Sequence, residues 1–90
     1  MTDFHERMKS FHARFLARAA EDRAAIEAAW TTGDDAALRR LCHGLAGNAG
    51  MFGFAELGAA AQKIEETVDE GAPREALAPL VEQLLAQLPE

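Results

Sequence analysis

Residues 38–50 read LRRLCHGLAGNAG, and the rest of the chain is best interpreted outward from this stretch. At about 100° per residue of an α-helix, its three leucines fall on one stripe, and His43 projects roughly 140–160° away from them. Gly47 and Gly50 follow His43 on the same outward face, at i+4 and i+7. Glycine inside a helix costs about 1 kcal/mol relative to alanine. Two glycines on one face therefore need a reason, and close approach by another molecule is one.

The composition of the 90 residues indicates one small helical domain, over residues 1–90. Hydrophobic residues make up 49% of the chain, and they are mostly alanine and leucine, which favour helix. The net charge of −6 argues against nucleic acid or an anionic membrane as the main partner, because both need clustered cations. The chain has no apolar run of roughly 18 residues, no signal-peptide character and a single cysteine. We therefore expect a cytoplasmic protein without a disulfide.

Apolar residues recur at spacings of three and four along four segments, which predicts four amphipathic helices. We expect these helices at about residues 3–31, 35–50, 54–70 and 73–88. Gly33 suits a left-handed C-terminal cap, and Asp34 can cap the second helix. Short connections between such helices favour an all-α fold, an antiparallel up-down-up-down four-helix bundle.

The same spacing predicts which residues face the core. In the first helix they are Phe4, Met8, Phe11, Phe15, Ala19, Ile26 and Trp30. In the second they are Leu38, Leu41, Leu45 and Ala49, and in the third Leu57, Ala60, Ala61, Ile64 and Val68. In the fourth they are Leu77, Leu80, Val81, Leu84, Leu85 and Leu88. Cys42 lies about 55° from the inward stripe, so we expect a small, partly buried packing residue there.

The charges around His43 set it apart from His5 and His12, which have no neighbours that suggest a task. Arg39 and Arg40 precede His43 by four and three residues, so they lie one turn away on either side of its face. They could attract an anion, although a solvated helix surface would show the same pattern.

A carboxylate on the third helix is the candidate partner for the imidazole. Glu65 lies about 80° from the centre of the apolar stripe, where two helices meet, and Gln62 lies three residues earlier on the more exposed side. A hydrogen bond from one ring nitrogen to Glu65 would fix the tautomer and leave the other nitrogen a basic, outward-facing nucleophile. The alternative is that Glu65 pairs with an arginine or with water.

Other chemistries find no support in the residue pattern. No second histidine or cysteine lies at i+3 or i+4 from Cys42 or His43, so we expect no metal site. Ser10, the only serine, lacks an elbow motif. No glycine-rich phosphate loop follows a strand, so we expect no ATP binding.

At these positions the chain resembles the histidine-containing phosphotransfer (HPt) domain family. The family pattern His-x-Leu-Lys-Gly, with a further glycine six residues on, reads here His43-Gly44-Leu45-Ala46-Gly47 followed by Gly53. The likeness extends over roughly residues 8–88. It implies that His43 is a phosphoacceptor, that Glu65 orients its ring, and that Gly47 leaves room for the phosphoryl group.

The resemblance implies a phosphorelay intermediate. Such a protein accepts a phosphoryl group from the aspartyl phosphate of a receiver domain and passes it to another receiver. Its partners would be response-regulator receivers and a hybrid or sensor histidine kinase. The receiver would bring Mg²⁺, so the domain itself needs no cofactor and has no autokinase activity. We expect it to be a monomer.

Ala46 departs from the family pattern, which has a lysine there. That cation neutralises charge on the phosphohistidine or in the transfer state. Candidate replacements are Arg39, Arg40 or Lys63, and the alternative is that the receiver's own lysine suffices. The departure leaves open a second function, a non-catalytic helical interaction module that binds receivers or kinases without phosphotransfer. A dimerising hairpin of the histidine-kinase type is disfavoured, because four helices of one chain close the bundle.

A receiver would need a docking surface beside His43. Met51, Phe52 and Phe54, near the glycine-rich end of the second helix, are candidates for an apolar patch. The alternative is that they cap the end of the bundle.

Overall fold

Four helices account for nearly all of residues 4–89, which this computed structural model describes, with side chains described from residue 6 on. Helix α1 spans Phe4–Thr32, α2 Asp35–Met51, α3 Ala55–Asp69 and α4 Arg74–Gln87. The predicted start of α1 at residue 3 lies outside the described residues. Within the described part of the chain there is no strand, and no helix there has both the length and the apolar character to cross a membrane.

Each connection between helices contains a glycine in the left-handed conformation. Gly33, Gly53 and Gly71 have φ values of 74°, 85° and 71°. Each ends its helix with the two backbone hydrogen bonds of a Schellman motif. After Gly33, Oδ1 of Asp34 accepts a hydrogen bond from the backbone N–H of Ala37 at 3.0 Å and caps α2. The predicted cap roles of Gly33 and Asp34 are confirmed.

The helices pack in chain order, α1 on α2, α2 on α3 and α3 on α4, and α4 also meets α1. Arg23 of α1 donates hydrogen bonds to the carbonyls of Leu85 and Leu88 at the end of α4. The guanidinium of Arg74 lies 3.7 Å from the centre of the Trp30 ring and donates to the Trp30 carbonyl. These contacts tie α4 to α1, and the predicted four-helix bundle is confirmed.

The buried stripe of α2 is rotated relative to the predicted one. Cys42 has no exposed surface, whereas Leu41 is only partly buried. The prediction that Cys42 is a partly buried residue is therefore wrong. The reason is that α2 packs against both α1 and α3, so the residue between the two contact faces lies at the centre of the core.

The buried positions of α3 differ in part from the predicted ones, and a glycine lies where α3 meets α2. Gly58 and Thr67 are buried, whereas Ala60 and Val68 are only partly buried. A Cβ placed on Gly58 would lie 3.3 Å from the carbonyl oxygen of Ala46. The glycine therefore lets the two backbones approach each other more closely than side chains would allow.

Helix α1 is much longer than its neighbours, so its first turns extend past the end of α2. Phe15 is the first buried residue in the described part of α1. Its ring centroid lies 4.6 Å from that of Phe54 and 5.6 Å from that of Phe52. Phe52 and Phe54 thus cap the end of the bundle, as one of the two predictions stated. Phe11, one turn earlier, is 44% exposed although the spacing placed it in the core, and Met51 is 77% exposed.

Of the predicted core positions of α1, Phe4 is not tested and Trp30 differs from the prediction. The side chain of Phe4 lies outside the described side chains, as does that of His5. Trp30 is only partly buried, because the neighbouring Ala29 takes the buried position. The guanidinium of Arg74 covers the indole ring of Trp30.

Candidate functional site

His43 lies on the outward face of α2, with 71% of its side chain exposed. Its Nδ1 lies 2.7 Å from Oε2 of Glu65 on α3. The Glu65 side chain is only 15% exposed, so the carboxylate is held in the groove between the two helices. When Nδ1 carries the proton and donates it to Glu65, Nε2 keeps a free lone pair that faces solvent.

Glu65 is held in turn by an arginine of α2. Arg39 Nη2 lies 3.4 Å from Glu65 Oε2, while its Nε and Nη2 lie 2.5 and 3.2 Å from the two carboxylate oxygens of Asp69. The hydrogen bond and charge of Asp69, together with the charge of Glu65, raise the pKa of Arg39. The same hydrogen bond, with the charge of Arg39, holds the pKa of Asp69 below its ordinary value.

The structure thus shows both of the predicted arrangements at Glu65, since this carboxylate contacts the imidazole and an arginine. It also shows different surroundings for Arg39 and Arg40, for which the sequence predicted the same role. The charge of Arg39 is shared by two carboxylates of α3. Arg40 is exposed, lines a groove on the α1 side of α2, and forms no ion pair with any described residue.

Two other predicted residues lie apart from the imidazole. Gln62 donates a hydrogen bond to Oε1 of Glu66 at 3.2 Å and does not contact the ring of His43. Lys63 is exposed and precedes Glu65 by two residues, about 200° around α3, so it projects away from the side that holds His43.

The outward face of α2 around His43 is open. A Cβ built on Gly44, Gly47 or Gly50 would meet nothing within 4 Å. An alanine at Gly47 would therefore meet no other part of the protein. Any need for glycine at this position must come from a molecule that approaches from outside.

Sequence reasoning missed Asp69 and Gly58, although both carry a signal that could have found them. They lie at i+4 and i−7 from Glu65, on the face of α3 that meets α2. Asp69 anchors Arg39, and Gly58 brings the helices close enough for Glu65 to reach His43. The sequence does not fix the rotation of α3 about its own axis, so it did not show that these two residues face α2.

Cys42 lies beneath the site and takes no part in it. Burial, with a smaller contribution from the charge of Glu65, raises the pKa of this thiol to about 12. The thiol is therefore neutral at physiological pH. No group of three or more metal-ligating side chains occurs among the residues that the structure describes.

A family model described as Hpt domain matches residues 10–90 of the chain. The chain belongs to the Hpt domain family. Hpt domains act in histidine phosphotransfer within phosphorelays and interact with receiver domains and histidine kinases. Comparisons with curated proteins and with solved structures returned no match.

In this Hpt domain, position 46 offers no cation. Ala46 is partly buried and packs against the core, and its carbonyl oxygen faces Gly58 at the closest approach of α2 and α3. A positive charge beside His43 must therefore come from another position.

Proposed function

We propose that this Hpt domain is a phosphorelay intermediate that accepts a phosphoryl group on Nε2 of His43. The donor is the aspartyl phosphate of one receiver, and the acceptor is the aspartate of another. The observation that carries the proposal is the 2.7 Å contact between Nδ1 and Glu65 Oε2 on a ring that is 71% exposed. This contact favours the tautomer in which the exposed nitrogen is the unprotonated one.

In the accepting step, the lone pair of Nε2 attacks phosphorus and forms an N–P bond, and the bond from phosphorus to the aspartyl oxygen breaks. The receiver recovers a free carboxylate. Because Nδ1 keeps its proton, the imidazole ring gains a positive charge, which the carboxylate of Glu65 stabilises. In the donating step a carboxylate oxygen of the second receiver attacks phosphorus, and the N–P bond breaks. Neither step consumes water or another reactant.

Transfer of this kind depends mainly on positioning and on neutralising charge, because the transition state is loose. We expect Mg²⁺ to be bound by the receiver, and the Hpt domain to need no cofactor or ATP of its own. Receivers and a hybrid or sensor histidine kinase are the proposed partners of a cytoplasmic monomer. Size-exclusion chromatography of the purified protein tests the monomer.

Incubation with a panel of phosphorylated receivers tests the function. We expect an acid-labile, base-stable phosphoryl label on the protein that is lost in His43→Gln. The exposed position of His43 means that this variant should keep the stability of the wild type within about 0.5 kcal/mol, which circular dichroism and urea unfolding check. A label that survives the substitution would place the acceptor elsewhere.

Glu65 variants separate orientation of the ring from stabilisation of its charge. Glu65→Gln keeps a hydrogen-bond acceptor but removes the negative charge, and we expect transfer to slow about tenfold. Glu65→Ala removes both, and we expect a loss of about 100-fold. Rapid-quench measurement of label transfer gives both rates, and equal rates in wild type and Glu65→Ala would contradict the proposed role.

Ala46 favours a second candidate function, a module that binds receivers or kinases without phosphotransfer. Position 46 packs against the core and supplies no cation to a phosphohistidine. The receiver panel also decides between the two functions. If receivers bind the domain but none labels it, the non-catalytic module is the better account.

A further inference from the structure

The charge of the chain is divided unevenly along its length. Residues 6–18 of α1 contain four cationic side chains and one acidic one, a net charge of +3, so the other residues together carry −9 of the total of −6. The cations are Arg7, Lys9, Arg14 and Arg18. An acidic protein that concentrates positive charge on one segment presents a surface suited to an acidic partner.

Three of these cations share one face of α1 with an exposed aromatic ring. Arg7, Phe11, Arg14 and Arg18, which we call the basic strip, recur at spacings of four, three and four and fall within about 60° of one another around the helix. Phe11 is 44% exposed, and the Arg18 side chain is 68% exposed. Arg18 pairs with Asp22 at 3.5 Å, whereas Arg7 and Arg14 form no ion pair with a described residue.

The basic strip faces α2 and leads toward His43. The Phe11 ring lies 6.2 Å from that of Phe52 just after α2, next to Met51, which is 77% exposed. Farther along, Arg18 and Arg40 line a groove of about 210 Å³, together with Gly44 and Asn48. Arg40 precedes His43 by three residues, about 60° around α2, so a molecule that covers the strip and this groove comes next to the imidazole.

We propose that the basic strip is a docking surface for the acidic rim around the phosphorylated aspartate of a receiver, with Phe11 and Met51 covering apolar side chains inside that rim. This inference rests on the proposed function. An aspartyl phosphate that holds Mg²⁺ needs further carboxylates as metal ligands, so the surface around it is acidic. Complementary charge of this kind acts mainly on the rate of association.

Charge-reversal variants test the strip against a matched control. Arg14→Glu and Lys63→Glu each replace an exposed cation that has no ion pair within the described chain, and each changes the net charge by the same amount. Only Arg14 lies on the strip, since Lys63 projects from the far side of α3. The probe is the receiver that labels the wild-type domain fastest, and the measurement is the second-order rate of transfer at low and high salt.

We expect Arg14→Glu to slow transfer about tenfold at low salt, with a further loss in the Arg7→Glu, Arg14→Glu double variant. Lys63→Glu should change the rate less than about twofold, and the difference should shrink at high salt, where surface charges are screened. Labelling by phosphoramidate, a small donor without a protein surface, should stay unchanged in all variants.

Equal slowing by Lys63→Glu would mean that only net charge matters, and a salt-independent loss would mean that the strip does not act by charge. Either result overturns the inference, as does a loss of phosphoramidate labelling. If Arg14→Glu leaves transfer intact but abolishes binding to phosphatidylserine vesicles, the strip contacts a membrane instead. If it leaves transfer intact but abolishes self-association in sedimentation velocity, the partner is a second copy.

Failure of the proposed function is distinguishable from failure of the strip. If no receiver labels His43, the phosphotransfer proposal fails by itself. Titration with unphosphorylated receivers, comparing Arg14→Glu with Lys63→Glu, then decides separately whether the strip binds them. Equal affinity of the two variants for every receiver would overturn the inference.

Discussion

Gly47 on the outward face of α2 and Gly58 at the interface of α2 with α3 are both glycines inside helices, yet their surroundings differ. A Cβ on Gly47 would meet nothing within 4 Å, whereas one on Gly58 would lie 3.3 Å from the Ala46 carbonyl oxygen. Gly58 is needed by the fold itself. Gly47 gains nothing for the isolated domain, so its value lies in what approaches His43 from outside.

The largest effect on stability is expected at Gly58, where α3 packs against α2. Gly58→Leu should lower the free energy of unfolding by about 3 kcal/mol, because its side chain would force α2 and α3 apart. Urea unfolding measures this, and Ala59→Leu, at the exposed neighbouring position, is the control with an expected change within about 0.5 kcal/mol. A Gly58→Leu protein as stable as the control would show that the close approach is not needed.

A leucine at Gly47, on the outward face, should instead spare stability and slow transfer. Gly47→Leu should keep or raise stability, by up to about 1 kcal/mol from helix propensity. It should nevertheless slow transfer from a receiver about 100-fold, because a side chain there displaces the incoming phosphoryl group. Unfolding and rapid-quench measurements on one preparation give both quantities. Normal transfer in this variant would show that a glycine at position 47 is not needed to admit the phosphoryl group.

The two arginines before His43 extend this contrast, since Arg39 faces α3 and Arg40 has no ion pair within the described part of the chain. Replacing both Arg39 and Arg40 by Ala should slow transfer about tenfold and leave the fold intact. Arg40→Ala alone should cause most of this slowing, because the charge of Arg39 is already paired with Glu65 and Asp69. Unchanged transfer kinetics in the double variant would show that the partner supplies the charge.

The smallest effect concerns Cys42 beneath the interface. Its pKa is raised from 9.0 to about 12 in the folded protein, so between these pH values the unfolded chain binds fewer protons. The free energy of unfolding should therefore fall as the pH rises above 9, by about 1 kcal/mol at pH 10. Urea unfolding of wild type and Cys42→Ala from pH 8 to 10.5 measures the difference in slope. Identical slopes would contradict the shift.

Local features of the site could be predicted because they depend on neighbouring residues in the chain. The outward direction of His43 follows from its phase relative to the leucines of α2, and Gly33 and Asp34 carry the turn chemistry that ends one helix and begins the next. The edge position of Glu65 likewise follows from the apolar spacing of α3. Each of these needs only the 3.6-residue period of one helix or the residue types at its ends.

Features that depend on two helices could not be predicted with the same certainty. The spacing of α2 placed Leu41 in the core and Cys42 beside it, but packing against both α1 and α3 reversed their burial. The sequence also did not determine which carboxylate pairs with Arg39. A helix fixes the angle between its own side chains, whereas its rotation against a neighbour is set by the packing of both surfaces.

The amino-acid sequence by itself determined that the chain forms four amphipathic helices and that His43 projects away from their core, because both follow from periodicity along the chain. Only the tertiary structure decided that Nδ1 faces Glu65 and Nε2 faces solvent, since this needs a distance of 2.7 Å between two helices. In that structure Arg39 is paired, whereas Arg40 forms no ion pair with any described residue. Close packing at Gly58 produces these contacts, and packing is a property of two surfaces together.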